Sequence, residues 1–219
     1  MNGAGDYSAE NPEGRNIHFG VREIGMTAIA NGMLLHGGLR TYAATFFVFA
    51  DYMKPMLRLS SLMEIPQIAV FSHDSIGVGE DGPTHEPIEQ LAMLRSQPNM
   101  YVFRPADETE TKAAWYCAVT SMRTPTSIVL SRQSLPVLEN SSKDALKGGY
   151  ILRNEKKDSP DVIMVATGSE TGIAVEAAEM LEADGISARV VSMPCMELFE
   201  EQSEEYRNAV LPPEITKRA

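Results

Sequence analysis

Apolar residues along this chain follow two patterns, a helical period and short continuous runs. The stretch from Gly20 repeats apolar residues about every 3.6 positions and stops at Gly37, which predicts a helix over 20–36. Continuous apolar runs are typical of parallel strands that are buried on both faces. The pattern predicts the following elements in the first part of the chain: a strand over 41–47, a helix over 49–63 that begins or is interrupted near Pro55, a strand over 67–73, a loop over 74–87, a helix over 87–96 with Pro87 in its first turn, a strand over 100–105, a helix over 106–121 and a strand over 126–132.

A change of composition divides the chain into two parts. Residues 137–160 are polar and charged, as is typical of a connector between domains. The pattern then predicts a strand over 161–168, a helix over 170–185, a strand over 188–194 and a helix over 199–211. Strands that alternate with helices predict an α/β fold with parallel sheets. We therefore assign 1–16 to coil, 17–136 to one domain, and 161–219 to a second α/β domain, which we expect to be cut short because it holds few alternations.

Composition argues against nucleic-acid binding, a membrane contact and a cysteine-based metal site. The 219 residues include 30 acidic and 19 basic side chains, giving a net charge of -11. Without clustered Lys and Arg, a nucleic-acid partner is not expected. The sequence has no long apolar run and no signal peptide at its start, so we expect a cytoplasmic protein without a membrane contact. Cys117 and Cys195 lie in apolar segments, which predicts free, buried thiols and no cysteine-based metal site.

The glycine-rich loop after the strand over 67–73 carries a G-x-G-x-x-G pattern at 77–82. That pattern alone suggests dinucleotide binding. The charges of Glu80 and Asp81 would repel a pyrophosphate, however, and Pro83 stands where the phosphate-binding helix should begin. Arg104 and Pro105 occupy the region where a ribose-binding acid is expected, about 20 residues on. A dinucleotide site is therefore disfavoured.

The same loop holds two histidines, His73 and His85, and several acids. In open α/β sheets ligands bind at the carboxyl end of the strands, which is where this loop stands. The alternative is a glycine-rich surface loop with solvated charges. No third ligand lies at a convincing spacing from the histidines, so no metal site is predicted.

Other candidate residues also have structural interpretations. Glu23 stands in the first turn of a predicted helix, where an acid stabilises the helix dipole. Arg132 ends a predicted strand, and it is either a surface residue or a phosphate ligand. An aromatic group follows the strand over 41–47, and core packing is its simplest role. Its members are Phe46, Phe47, Phe49 and Tyr52.

Several segments together resemble the transketolase family. They include GVREIGMTAIANG, TFFVFADYMKPMLRL, HDSIGVGEDGPTHEPIEQLAMLR and SRQSLP, followed by KGGYIL, VIMVATGSE and ARVVSMP. The resemblance covers nearly all of residues 3–219. Related thiamine enzymes, such as the β subunits of 2-oxo-acid dehydrogenases, lack the full GEDGPTH string. The resemblance implies that 17–136 is the pyrimidine-binding domain, that 161–219 is a partial C-terminal domain, and that the N-terminal diphosphate-binding domain is absent.

The resemblance implies thiamine diphosphate as the cofactor, with this chain contacting its aminopyrimidine end. Glu23 matches the catalytic glutamate that hydrogen-bonds N1′ of that ring. The aromatic side chains of Phe46, Phe49 and Tyr52 match the pocket around the ring, where flat groups stack. The family's Mg²⁺ or Ca²⁺ would be bound by the missing domain, so no metal ligand is expected in this chain.

The resemblance also implies a sugar-phosphate site. His73 matches a catalytic and substrate-binding position, and Asp81 matches a second substrate contact. His85 matches a position near the sugar-phosphate end, and Arg132 matches an arginine that grips the phosphate with paired donors.

The implied reaction moves a two-carbon ketol unit from a ketose phosphate such as xylulose 5-phosphate to an aldose such as ribose 5-phosphate. The family site forms between two subunits, so the isolated chain is expected to be inactive. Its expected partner is a second copy in a homodimer, or a chain that carries the diphosphate-binding domain. Two alternatives remain: a subunit of a split transketolase, and a non-catalytic module that self-associates through the helix over 20–36.

Overall fold

Four parallel strands form the first sheet of the computed structural model, which describes residues 3–219. The strands are β1 (Tyr42–Phe46), β2 (Ile68–Ser72), β3 (Tyr101–Phe103) and β4 (Thr126–Val129), in the spatial order β1-β2-β4-β3. The helices of this part are α1 (Glu23–His36), α2 (Ala50–Leu62), α3 (Gln90–Arg95) and α4 (Glu108–Thr120). Strand β4 is buried along its whole length, as a strand covered on both faces should be.

A second sheet of three strands follows. It contains β5 (Tyr150–Arg153), β6 (Val162–Ala166) and β7 (Ala188–Ser192) in the order β5-β7-β6, with helices α5 (Glu170–Ala183), α6 (Met196–Glu200) and α7 (Glu204–Val210). Strands β6 and β7 are parallel, whereas β5 runs antiparallel to β7. Residues 217–219 extend this sheet, because the Ala219 amide donates to the Ile163 carbonyl over 3.0 Å.

The predicted α/β fold is confirmed, with one difference in the second sheet. Strand β5 lies inside the stretch 137–160 that composition had assigned to a connector, and its antiparallel direction makes this sheet mixed rather than parallel. Its four residues stand between a glycine pair and a charged segment, so the apolar run is too short to distinguish a strand from coil.

The helices differ from the prediction at three places. Helix α3 begins at Gln90, so Pro87 precedes the helix instead of occupying its first turn. Helix α2 runs without interruption through Pro55, although that residue has no N–H to donate. The predicted helix over 199–211 is two helices, because Ser203 caps α7 by accepting from the Tyr206 amide. No helix among residues 3–219 is both long and apolar enough to cross a membrane.

The thiols are free, as predicted, but only one is fully buried. Cys195 lies in the core, and burial raises the pKa of its thiol well above the usual value. Cys117 is half-buried on α4, and burial raises the pKa of its thiol to about 11. Both groups are therefore held in the unreactive thiol form at neutral pH.

A buried carboxyl group joins the two sheets. Glu110 on α4 has no exposed surface and accepts hydrogen bonds from the Ala106 amide at 2.7 Å, the Tyr150 hydroxyl at 2.9 Å and the Ser192 hydroxyl at 2.6 Å. Tyr150 and Ser192 belong to the second sheet. Burial raises the pKa of Glu110, because the hydrogen bonds only partly replace the water that the charge has lost.

We expect this carboxyl group to give a pH-dependent term in stability. Because its pKa is raised on folding, the native state binds its proton more tightly than the unfolded chain does. The free energy of unfolding of the wild type should therefore rise, relative to Glu110→Gln, as pH falls toward the unfolded-state pKa. Denaturant titrations of both proteins from about pH 8 to about pH 5 measure this. A difference that does not change with pH would contradict it.

Candidate functional site

The carboxyl ends of the first-sheet strands meet at one edge of that sheet. Strand β1 ends at Phe46 and β2 ends at Ser72, and these two residues are register partners. His73 follows β2 directly, and Arg132 lies three positions beyond the end of β4. The parallel pairing therefore brings residues that are distant in sequence to the edge where open α/β sheets bind ligands.

Five aromatic side chains form a cluster at this edge, which we call the ring cluster (Phe46, Phe49, Tyr52, His73 and His85). Phe46 stacks on His73 with ring centroids 3.8 Å apart, and Phe49 stacks on Tyr52 at 6.0 Å. His85 meets Phe46 and Phe49 edge-on, at 6.4 Å and 5.3 Å. The structure thus brings together most of the predicted site residues. Because Tyr52 is 56% exposed, the cluster presents aromatic surface to a ligand or partner.

Phe47 does not belong to the ring cluster. Its side chain is buried, and it packs against Phe71 of β2 with ring centroids 5.4 Å apart. The core role that the sequence suggested for the aromatic group therefore holds for Phe47 but not for its neighbours.

His73 has an unusual backbone conformation. Its φ is 62°, in the left-handed region that non-glycine residues rarely adopt. Its Nδ1 lies 3.0 Å from the Ser72 hydroxyl, and the next residue, Asp74, is buried against Arg104. Such conformations persist where the surroundings fix them, and they concentrate at functional sites.

The glycine-rich loop is hydrogen-bonded to the residues that follow β4. The Gln133 amide donates to the Gly77 carbonyl over 2.9 Å, and the Ser75 hydroxyl accepts from the Gly77 amide over 3.2 Å. A Cβ built at Gly79 would lie 3.9 Å from the guanidinium carbon of Arg132. Arg132 is thus beside the loop, and its guanidinium has no hydrogen-bond or ion-pair partner within residues 3–219. Asp81 lies further along the loop and is exposed.

A methyl group at Gly77 should loosen the glycine-rich loop. A Cβ there would overlap with the Gln133 amide nitrogen, so Gly77→Ala must displace that side chain and break its bond to the Gly77 carbonyl. We expect faster amide hydrogen exchange over residues 75–82, measured by mass spectrometry. Gly172→Ala is the matched control, because a Cβ on that residue of α5 meets nothing within 4 Å and should leave exchange in the loop unchanged.

Glu23 is the first residue of α1 and is half-buried. Within residues 3–219 its carboxylate makes no hydrogen bond and no ion pair, and no ring contact joins it to the ring cluster. A half-buried carboxylate without a protein partner is a suitable acceptor or donor for a ring nitrogen. The exposed aromatic faces of the ring cluster suit a flat heteroaromatic group.

Three residues that hold the site were missed by the sequence analysis. Asp74 and Arg104 support His73, and Gln133 supports the loop. Arg104 was considered only as a mismatch to a dinucleotide pattern, and its partner lies 30 positions away in sequence. The available signal was position, since Asp74 and Gln133 directly follow predicted strands and Arg104 lies near the end of the predicted strand over 100–105.

Comparisons with known proteins agree with this architecture. Residues 4–137 match the family described as transketolase, pyrimidine binding domain, and residues 148–219 match the transketolase-like C-terminal domain. A transketolase of Staphylococcus aureus is 56% identical over the whole chain, which spans 33% of the length of that relative.

Two solved structures are also similar. A Pichia stipitis transketolase in complex with sedoheptulose 7-phosphate matches 96% of this chain and 32% of its own, with a TM-score of 0.91 and 48% identity. A split-gene transketolase, described as an inactive β4 tetramer, matches 80% of this chain and 55% of its own, with a TM-score of 0.67 and 34% identity.

Proposed function

This chain belongs to the transketolase family, and from that premise we propose that it supplies the aminopyrimidine side of a thiamine diphosphate-dependent ketol-transfer site. The observation that carries the proposal is the ring cluster, with an unpartnered glutamate at the start of α1 in the same pyrimidine-binding region. The chain spans about a third of the length of its curated relatives, so the activity of the whole enzyme is part of the proposal.

The cofactor side of the site rests on Glu23 and three aromatic residues. When bound, thiamine diphosphate supplies the carbon centre that accepts and stabilises the transferred two-carbon unit. Glu23 holds a proton at the pyrimidine ring nitrogen, which fixes the tautomer of that ring. Phe49 and Tyr52 offer stacking surface, and Phe46 orients His73 through their contact at 3.8 Å. The diphosphate and a divalent metal, Mg²⁺ or Ca²⁺, would be held by a diphosphate-binding domain.

The substrate side rests on two histidines, an acid and an arginine. Nδ1 of His73 and Nδ1 of His85 each lie within hydrogen-bonding distance of a hydroxyl oxygen of the chain. Nε2 of each ring is therefore the atom that can exchange a proton with a sugar. Asp81 is an exposed acceptor for hydroxyl groups, and the unpartnered Arg132 is a phosphate ligand. The sugar phosphate in the Pichia stipitis relative supports this substrate class.

Helix α1 supports an assembly of two chains, which we place in the cytoplasm. Its exposed side chains include Ile29 (50%) and Leu35 (58%), whereas its buried positions include the polar Thr27 and Asn31. A helix that turns apolar residues outward is suited to a protein partner. We propose that α1 contributes to a homodimer, or to a complex with a chain that carries the diphosphate-binding domain. The split-gene relative supports the second arrangement as an alternative.

A reconstituted mixture tests the proposed function. It contains this chain, a separately expressed transketolase diphosphate-binding domain, thiamine diphosphate and Mg²⁺, with the whole Staphylococcus aureus relative as the positive control. We expect ketol transfer from xylulose 5-phosphate to ribose 5-phosphate in the mixture and in neither component alone. Transfer by the chain alone, or none in a mixture whose components bind each other, would contradict the proposal.

Arg132 should determine affinity for phosphorylated sugars in that assay. A hydrogen bond to a charged group contributes about 1.5–3 kcal/mol, so Arg132→Leu should raise the KM for ribose 5-phosphate by about 10- to 150-fold. The KM for an acceptor without a phosphate, glycolaldehyde, should stay the same. Arg123→Leu, which removes an exposed arginine paired with Glu64, is the control. An equal effect of Arg132→Leu on both acceptors would refute a phosphate-binding role.

A further inference from the structure

The Arg104 side chain connects the two sheets. It follows β3 and is 8% exposed. Its Nε donates to Asp74 Oδ2 at 2.8 Å, and Nη2 lies 2.7 Å from the same oxygen in an ion pair. Nη1 donates to the Thr167 carbonyl at 2.9 Å, and Nη2 donates to Glu170 Oε1 at 3.1 Å. A further bond runs from Nη1 to Glu170 Oε2. Each of the three guanidinium nitrogens therefore donates at least one hydrogen bond, which fixes the orientation of the group.

One end of this hydrogen-bond network is Asp74, the residue that directly follows His73. The Asp74 side chain is 1% exposed, and its Oδ2 is bound to Arg104 while its buried Oδ1 has no partner within residues 3–219. Arg104 therefore supplies the hydrogen bonds that hold Asp74 in place. Since Asp74 is the next residue after His73, the same bonds hold the left-handed backbone of His73, and with it the ring that stacks on Phe46.

The other end of the network lies in the turn between β6 and α5, beside the second sheet. Glu170 is the first residue of α5, and its side chain is half exposed. The Arg104 carbonyl accepts from the Gly168 amide at 2.9 Å and from the Thr167 hydroxyl at 3.0 Å. A Cβ at Gly168 would lie 2.8 Å from the guanidinium carbon, so this turn is shaped around Arg104.

We propose that Glu170 is a positioning residue for His73 and acts from the second sheet through Arg104 and Asp74. The reaction in which His73 takes part rests on the proposed function, but the mechanical connection does not. Without the Glu170 carboxylate, two donors of Arg104 lose their acceptor, and the guanidinium turns toward water to satisfy them. Asp74 then loses its fixed partner, and the constraint on the His73 backbone is relaxed.

Histidine NMR measures this connection in the chain itself. The chain has four histidines, so selective ¹³C and ¹⁵N labelling gives a simple spectrum, which substitution of each histidine assigns. The ring protons of His73 lie over Phe46 and should be displaced upfield by its ring current. We expect Glu170→Ala to remove most of that displacement. Glu170→Gln should restore part of it, because the amide oxygen still accepts a hydrogen bond.

The matched control is Glu182→Ala. Glu182 lies on the same helix and pairs with Arg153 and Lys156, so this variant removes a comparable ion pair that does not touch Arg104. We expect the His73 resonances to stay at their wild-type positions in Glu182→Ala. The proposal would be overturned if the His73 resonances of Glu170→Ala stayed at their wild-type positions. It would also be overturned if they moved by the same amount in Glu170→Ala and Glu182→Ala.

The NMR result and the proposed function can fail independently. Loss of the His73 displacement in Glu170→Ala, together with no ketol transfer by the wild-type mixture, would leave the connection intact and refute the function. Where the wild-type mixture is active, Glu170→Ala should lower kcat more than it changes the KM for ribose 5-phosphate, since Arg132 is not part of the network. A lower kcat with unchanged His73 resonances would refute positioning.

Discussion

Glu23→Gln should lower the rate of ketol transfer in the reconstituted mixture by about 10²- to 10⁴-fold, the range typical of a lost proton-transfer group. The amide has nearly the shape of the carboxyl group but cannot hold or release a proton at the pyrimidine nitrogen. Since the Glu23 carboxylate has no partner within residues 3–219, the substitution breaks no hydrogen bond of the described chain. The measurement is the initial rate at saturating xylulose 5-phosphate and ribose 5-phosphate.

Glu108→Gln is the control for the structural role of Glu23. Glu108 also stands in the first turn of a helix, where a carboxylate contributes about 0.3–1 kcal/mol through the helix dipole. Its ion pair with Lys112 is exposed and adds little to stability. Both variants should therefore lose a similar, small amount of stability, but only Glu23→Gln should lose activity. Equal activity of the two variants would show that Glu23 only stabilises α1.

Arg104→Leu should lower the free energy of unfolding by about 3–5 kcal/mol, because it leaves a buried carboxylate without its partner. The Asp74 side chain is 1% exposed, so water cannot replace the lost bonds. Denaturant titrations followed by the fluorescence of the single tryptophan, Trp115, measure the change. Arg104→Lys should also destabilise the chain, since an ammonium offers three donors in place of a planar fork.

Two further variants show whether burial causes this effect. Arg123→Leu removes an ion pair in which Arg123 is 76% exposed and Glu64 is 47% exposed, and it should cost about 0–1 kcal/mol. In Arg104→Leu/Asp74→Asn a neutral amide replaces the buried Asp74 carboxylate, so the double variant should regain part of the loss. A cost for Arg104→Leu that matches Arg123→Leu would contradict the importance of the buried pair.

The apolar pattern predicted the α/β fold well, because β2 and β3 are almost entirely apolar runs and helical periods stand between the strands. Strand β5 was missed because its antiparallel edge position needs only a short run, here four residues beside charged ones. The break between α6 and α7 was missed because a serine cap interrupts an otherwise helical pattern. Both features depend on hydrogen bonds, to the distant strand β7 for β5 and to the Ser203 side chain for α7, that the distribution of apolar residues does not reveal.

The candidate site was only partly predictable, because some of its contacts join residues that are far apart in sequence. Position at the end of a predicted strand indicated His73 and Arg132, and the family resemblance implied roles for Glu23 and for the ring cluster. The support of His73 depends on Arg104, whose partners are 30 and 66 positions away in sequence. Register between β1 and β2 also decides that Phe46, and not Phe47, meets His73. Neither relation follows from local pattern, because both depend on tertiary packing.

The most direct test of the central claim is the rate of deuterium exchange at C2 of thiamine diphosphate, followed by proton NMR without any sugar. It measures whether this chain's glutamate promotes proton removal from the cofactor. We expect exchange in the wild-type mixture to be much faster than in free cofactor, and exchange with Glu23→Gln to fall close to the free rate. Equal rates in the wild-type and Glu23→Gln mixtures would contradict the assignment of Glu23, and with it the account of this chain as the aminopyrimidine side of the site.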